Sequence, residues 1–292
     1  MTRGPDLWVT VGAALCSALC FALSTVLQHR TAARAPRSDV LGVGLFAHLL
    51  SRPLWLLGLV ADGAGLGLHV LALSVGQLAL IQPLLVSGML FALPLEAAID
   101  RRRPALAEWA WGLVVVVGLS MFLVASRPTA GRPQPNPRLL MLVCGASLVA
   151  AALAVTAGHL FVARHRAALL GLATGIMYGI TAVLIKETVD LATSPSRVTA
   201  LAPLAGLLAV GGLGITLNQS AYQSGPLAAS LPPITIADPV VAVIIGVVAF
   251  DEELASSPLA VAAQVVGFAA MAVGVVRLAR LTALPVTGTP AP

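Results

Sequence analysis

The sequence predicts an all-α polytopic membrane protein, with about nine transmembrane helices in two inverted four-helix repeats and a linking helix between them. Three observations predict it. First, 58% of the 292 residues are hydrophobic and 10% are charged, with a mean hydropathy of +0.96. A soluble domain carries about 25% charged residues, so this chain has too few charges to cover a water-facing surface. Second, the apolar residues fall in long runs separated by short polar loops, and about 20 apolar residues cross a bilayer as a helix. Third, the second half of the chain repeats the first. The net charge of +5 does not imply nucleic acid, because the arginines sit in loops beside apolar runs, where they set orientation. The basic residues are 16 Arg and one Lys, which fits a high-GC bacterial genome.

The expected spans run in order along the chain. The first, 7–28, is followed directly by "QHRTAAR". It is too long and wrongly flanked for a cleaved signal peptide and reads as a retained span. Cys16, Cys20 and Cys144 all lie inside apolar runs and are odd in number, so they read as packing residues rather than a disulfide framework or zinc site. The stretch "LGVGLFAHLL" at 41–50 is too short to span and reads as an interfacial or half-inserted helix, or a reduced tenth span. Runs at 53–75, 78–99 and 105–126 complete a first membrane repeat over 1–126. Residues 127–166 hold a linker and a fifth span, 138–158. Runs at 167–188, 199–221, 227–250 and 258–279 form a second repeat over 167–280. The tail 281–292, "TALPVTGTPAP" from Thr282, has no periodicity and reads as disordered.

Arginine and lysine counts set the expected orientation. Loops after spans 1, 3, 5 and 7, with the C-terminal end, carry Arg30, Arg34, Arg37, Arg52, Arg101, Arg102, Arg103, Arg164, Arg166, Arg277 and Arg280. The opposite side carries Arg3, Arg127, Arg132, Arg138, Lys186 and Arg197. The richer side is assigned to the cytoplasm, with the N-terminus outside and the C-terminus inside a cytoplasmic membrane.

The repeat appears when the chain is shifted by 149 residues. "ADGAGLGLHVLALSVGQLALIQP" (61–83) then falls on "VGGLGITLNQSAYQSGPLAASLP" (210–232). Gly63, Gly65, Leu68, Ala72, Gly76, Leu78, Ala79 and Pro83 meet identical residues. The register continues without gaps to Gly118 over Gly267. The first spans correspond with a different offset, "CFALSTVLQHR" (20–30) over "MYGITAVLIKE" (177–187). Five helices separate partner spans. That number is odd, so the copies enter the membrane in opposite directions, as in many secondary transporters. Arg102 and Arg103 fall on Asp251 and Glu252, as expected if one loop is inside and its mate outside.

These segments resemble the drug/metabolite transporter superfamily. The likeness rests on two short Gly turns leading into Pro-bearing helices, "VGQLALIQPLLV" and "SGPLAASLPPITI", followed by short charged loops, "AIDRRRPALAEW" and "AFDEELASSPLA". The pattern is similar to the EamA-type repeat and covers about residues 7–280. Nine spans, with the second helix of the first half missing or reduced, resemble the NIPA-type magnesium transporter branch. The acid that usually ends the Pro helix is matched by Glu252 or Glu253, whereas "DRRR" departs from that pattern. The resemblance implies alternating-access transport of either a divalent cation, chiefly Mg²⁺, or a small metabolite.

The residues expected to carry that function are intramembrane polar groups. A charge at the bilayer centre costs about 2.5–3.5 kcal/mol on insertion scales and needs a partner or a water-filled cavity. Asp238 lies half-way along span 8, beside Pro239, which has no N–H to donate. Pro232 and Pro233 precede it, so a helix break with freed carbonyls is expected there, suited to a cation or proton; the bland alternative is an Asp capping a restarted helix. Asp62 lies mid-span, two turns before His69 on one helical face, as a proton-linked pair or a hydrogen-bonded packing pair. His69 aligns with Asn218, and Gln219, Tyr222 and Gln223 extend that polar face. Gln82, before Pro83 (the mate of Pro232), is a candidate cavity wall. Asp238 and Asp62 are the candidate metal ligands, since Mg²⁺ typically takes one or two carboxylates and keeps several waters. Glu96 is expected to pair with Arg101 to Arg103, Lys186 and Glu187 to be structural, and Gln28 and His29 to be interfacial.

Walker A, G-x-S-x-G, H-E-x-x-H and C-x-x-C motifs are absent, so no enzyme activity and no cofactor are expected. The expected partners are the lipid bilayer and a small solute or cation, without nucleic acid; a homodimer is left open. The alternative reading is a non-transporting integral membrane protein, an assembly partner or sensor; a lipid-carrier enzyme ranks below both.

Overall fold

A computed structural model describes residues 7–35, 43–75, 84–85, 87–99, 101, 103, 105–126, 135–160, 163–192 and 201–281. They form α1 (Leu7–Ala33), α2 (Val43–Leu50), α3 (Pro53–Val75), α4 (Gly88–Ile99), α5 (Leu106–Ser126), α6 (Pro137–Leu160), α7 (Ala163–Ala192), α8 (Leu201–Ser224), α9 (Leu227–Phe250) and α10 (Pro258–Leu281), with no strand among the described residues. Seven helices, α1 and α5 to α10, are long and apolar enough to cross a membrane. The chain is a multi-pass membrane protein. Helix α3 has 23 residues. Helix α4 has 12, and residues 78–83 of the expected third span lie outside the described residues. Large apolar side chains such as Met141, Leu142, Leu153 and Leu208 are exposed, a pattern that suits a lipid-facing surface.

Short sequence signals set several helix starts. Asn136 caps α6, its Oδ1 accepting the Arg138 and Leu139 backbone N–H at 3.1 and 3.4 Å, and Pro137 at the first helical position has no N–H to satisfy. Glu108 reaches back from the first turn of α5 to accept the Ala105 N–H at 3.3 Å. Ser257 accepts the Ala260 N–H at 3.2 Å to start α10. The two Pro-bearing helices, α4 and α9, are each followed by a left-handed residue, Arg101 (φ 54°) and Asp251 (φ 52°).

Two expectations are corrected. Pro232, Pro233 and Pro239 do not break α9, which runs helical from Leu227 to Phe250. The prolines remove the helical donors of the Ala228, Ala229 and Thr235 carbonyls, but packing against α7 holds the helix together. Gly171, Gly175 and Gly179 form a stripe on α7 that lets the two backbones meet. A Cβ at Gly175 would lie 2.7 Å from the Ile234 carbonyl oxygen, and one at Gly179 2.7 Å from that of Asp238. Only glycine admits so close an approach. Second, α1 does not end at Gln28 and His29. Helix α1 continues to Ala33, and both side chains are buried, because each finds hydrogen-bond partners.

Helix α1 packs on α3, α4 and α8; α7 packs on α8, α9 and α6; α5 packs on α10. One buried core gathers Val26, Leu49, Trp55, Leu93, Val115 and Leu231. A second gathers Leu170, Ile180, Leu217, Ile245 and Phe250.

Residues aligned by the sequence repeat recur at like positions. A Cβ at Gly118 would lie 2.8 Å from the Gly267 carbonyl and 3.0 Å from the Met271 nitrogen; one at Gly267 would lie 2.7 Å from the Gly118 carbonyl and 2.9 Å from the Phe122 nitrogen. Phe122 and Met271 are themselves partners in the 149-residue register. Likewise the Phe21 ring lies on Gly65 and the Tyr178 ring on Gly214 (2.9 and 3.1 Å to a built Cβ). Phe21 aligns with Tyr178, and Gly65 with Gly214.

Candidate solute site

A buried polar centre lies where α1, α3 and α8 meet. It begins with a stripe on α1: Thr10, Ser17, Ser24, Gln28 and Thr31 are all buried. Their spacings of seven, seven, four and three residues place them on one helical face. Ser17 donates to the Gly65 carbonyl at 2.7 Å.

From this stripe a directed hydrogen-bond chain crosses three helices. Trp55 Nε1 donates to Gln219 Oε1 at 3.3 Å, Gln219 Nε2 to Gln28 Oε1 at 2.8 Å, and Gln28 Nε2 to Ser24 Oγ at 2.9 Å. Ser24 in turn lies near the Asp62 carboxylate. An indole can only donate, so the Trp55 end fixes the direction of both amides that follow it.

Next to this chain, bonding is incomplete. The Tyr178 and Tyr222 hydroxyls approach Asn218. Asn218 is 9% exposed, yet its Oδ1 is buried without a hydrogen-bond partner among the described residues; the same holds for His69 Nε2. His69 and Asn218 are the pair aligned by the repeat. A buried polar atom without a partner costs about 1–3 kcal/mol, and native proteins leave few of them without a water, ion or functional reason.

The expected site residues thus divide. Asn218 and Tyr222 sit together, with Tyr178 added. Gln219 is fully buried and bonded, so it holds α1 and α3 to α8 rather than facing a cavity. Asp62 stands on an exposed stretch of α3 near Ser24, and no Asp62–His69 hydrogen bond is seen at His69 Nε2. Asp238 is half-buried on α9. Both carboxylates lie within electrostatic reach of the Tyr178 hydroxyl. Among the described residues, no three His, Cys, Asp or Glu side chains gather to hold a metal ion. Gln82 and Pro83 lie outside the described residues.

Sequence reasoning missed Ser24, Gln28, Trp55 and Tyr178. The periodic Ser, Thr and Gln residues on α1 were the signal that could have found the first two. It also missed the pair His29–Glu96, Nδ1 to Oε1 at 3.2 Å, which lies near a cavity of about 240 Å³ lined by Arg30, Thr31, Arg34, His48 and Arg52.

This fold and polar centre define a multi-pass helical membrane protein with an interior site. The chain is 30% identical over 281 residues to an uncharacterized protein of Corynebacterium glutamicum, covering 93% of this chain and 95% of that one. It belongs to the same family as that protein. No protein-family model matches the chain, and no solved structure matches it.

Proposed function

We propose that the protein is a secondary transporter of the cytoplasmic membrane that moves a small polar solute by alternating access. In this reading α1, α3, α4 and α5 form one repeat, α7 to α10 its inverted copy of the drug/metabolite transporter type, and α6 the link. That makes nine spans, with the N-terminus outside. The reciprocal Gly118–Gly267 contact supports the repeat, since a residue on a two-fold axis meets its own mate.

The observation that carries the proposal is the orphaned pair His69 Nε2 and Asn218 Oδ1, at repeat-related positions, where an inverted-repeat transporter binds its substrate. Amide, imidazole and phenol groups offer hydrogen bonds to a polar metabolite, with Asp238 and Asp62 as flanking charges. The shared reach of the two acids to Tyr178 keeps hydrated Mg²⁺ as the second substrate.

The test is flux into proteoliposomes of wild type, Asn218→Leu and Asp238→Asn. An enclosed Mg²⁺-sensitive dye reports the ion, and radiolabelled amino acids, amines and nucleosides report metabolites, with each imposed pH gradient. Flux of one probe that both variants abolish supports the reading. Absence of flux for every probe in wild type contradicts it and favours an assembly partner or sensor.

A further inference from the structure

We propose that His29 and Glu96 form a proton-binding site whose occupancy holds the α8–α9 turn against α1. The transporter reading is needed only for calling this proton a coupling ion. His29 Nδ1 lies 3.2 Å from Glu96 Oε1 on α4, and its Nε2 lies 3.0 Å from the Gly225 carbonyl oxygen in the α8–α9 turn. His29 and Glu96 are both buried.

Proton counting follows from the geometry. A carbonyl only accepts, so the Gly225 contact requires a proton on Nε2. The contact with Glu96 requires one more proton, on Nδ1 or on the carboxyl, because otherwise two lone pairs face each other. The arrangement therefore holds two protons on three heavy atoms. Remove one, and the imidazole can keep only one of its two bonds.

Relative strength decides which bond is lost. A hydrogen bond to an ionised carboxylate is roughly twice as strong as one between neutral groups. The remaining proton therefore sits on Nδ1 facing Glu96. Nε2 then presents a lone pair to the Gly225 carbonyl and the turn is released. His29 and Glu96 belong to the first proposed repeat and Gly225 to the second. The proton thus controls a contact between the parts that must move.

Other groups lie around the imidazole. Tyr222 of α8 meets the His29 ring edge-on, centroids 5.6 Å apart at 88°, and Glu96 is the acid facing it from α4. From α3, Asp62 lies near Ser24, five residues earlier on α1. Arg30 follows on α1, and Arg34, His48 of α2 and Arg52 line the nearby cavity. Imidazole in general is the side chain suited to gaining or losing a proton near neutral pH.

The test needs no substrate. Cys16, Cys20 and Cys144 are replaced by Ala, spin labels are placed through Arg34→Cys and Pro226→Cys, and the distance is measured in nanodiscs between about pH 5 and about pH 8. The account expects a shift to longer distances on raising pH. Glu96→Gln, whose amide can donate permanently to Nδ1, stays short at both pH values. His29→Gln loses the pH dependence. No shift in wild type, or the same shift in both variants, overturns the proposal. A shift without flux would retain the proton site and remove the transporter reading; flux without a shift would do the reverse.

Discussion

Gly118 and Gly267 face each other across α5 and α10, each backbone carbonyl lying where the other residue's Cβ would stand, at 2.7–2.8 Å. Each then meets the mate of the other's neighbour, Met271 on one side and Phe122 on the other. Side chains cannot enter here without parting the helices. Gly267→Leu is expected to destabilise the protein by about 1–3 kcal/mol through overpacking. Denaturation in mixed micelles, read by circular dichroism, checks this; an unchanged midpoint would contradict the contact.

The glycine stripe on α7 gives a sharper comparison. Gly175→Ala places a methyl 2.7 Å from Ala237 Cβ and from the Ile234 backbone oxygen, whereas nothing lies within 4 Å of a Cβ at Gly145 on α6. Gly175→Ala should lower stability. Gly145→Ala should raise it slightly, by up to about 1 kcal/mol, from helix propensity alone. Paired thermal unfolding curves in one detergent test the difference; equal shifts would rule out close packing of α7 on α9.

Gln28 and Gln219 are 191 residues apart in sequence and share a buried amide–amide bond. Replacing either one with Leu strands its partner. Replacing both removes the mismatch between these two, while each single variant already takes away the bond to Trp55 or to Ser24. A double-mutant cycle should show coupling of about 0.6–1.7 kcal/mol, the range for polar contacts between membrane helices. Zero coupling would mean that the amides do not meet.

The helices were legible because their cause is local: a run of about 20 apolar residues reads directly from the chain. Their ends were less so. Helix α1 was expected to stop at residue 28 because Gln28, His29 and Arg30 look like a polar exit. The partners that bury Gln28 and His29, on α4, α8 and the α8–α9 turn, are 67 to 196 positions away. Pro232, Pro233 and Pro239 read as a break because local rules say so. The packing on Gly171, Gly175 and Gly179 that overrides them is tertiary. The His69–Asn218 pairing was visible in the repeat register. That His69 Nε2 and Asn218 Oδ1 lack a partner among the described residues was not, since that depends on what surrounds them.

The central claim is that Asn218 lies on an aqueous pathway rather than in dry core. The most direct measurement is Asn218→Cys in a protein with Cys16, Cys20 and Cys144 replaced by Ala, exposed in sealed vesicles to a membrane-impermeant thiol reagent from each side. Ile180→Cys, at a position 1% exposed in the second core, is the control. The account predicts labelling at 218 from at least one side and none at 180. Failure of 218 to label from either side, with the protein folded and sealed in the same membranes, would contradict it.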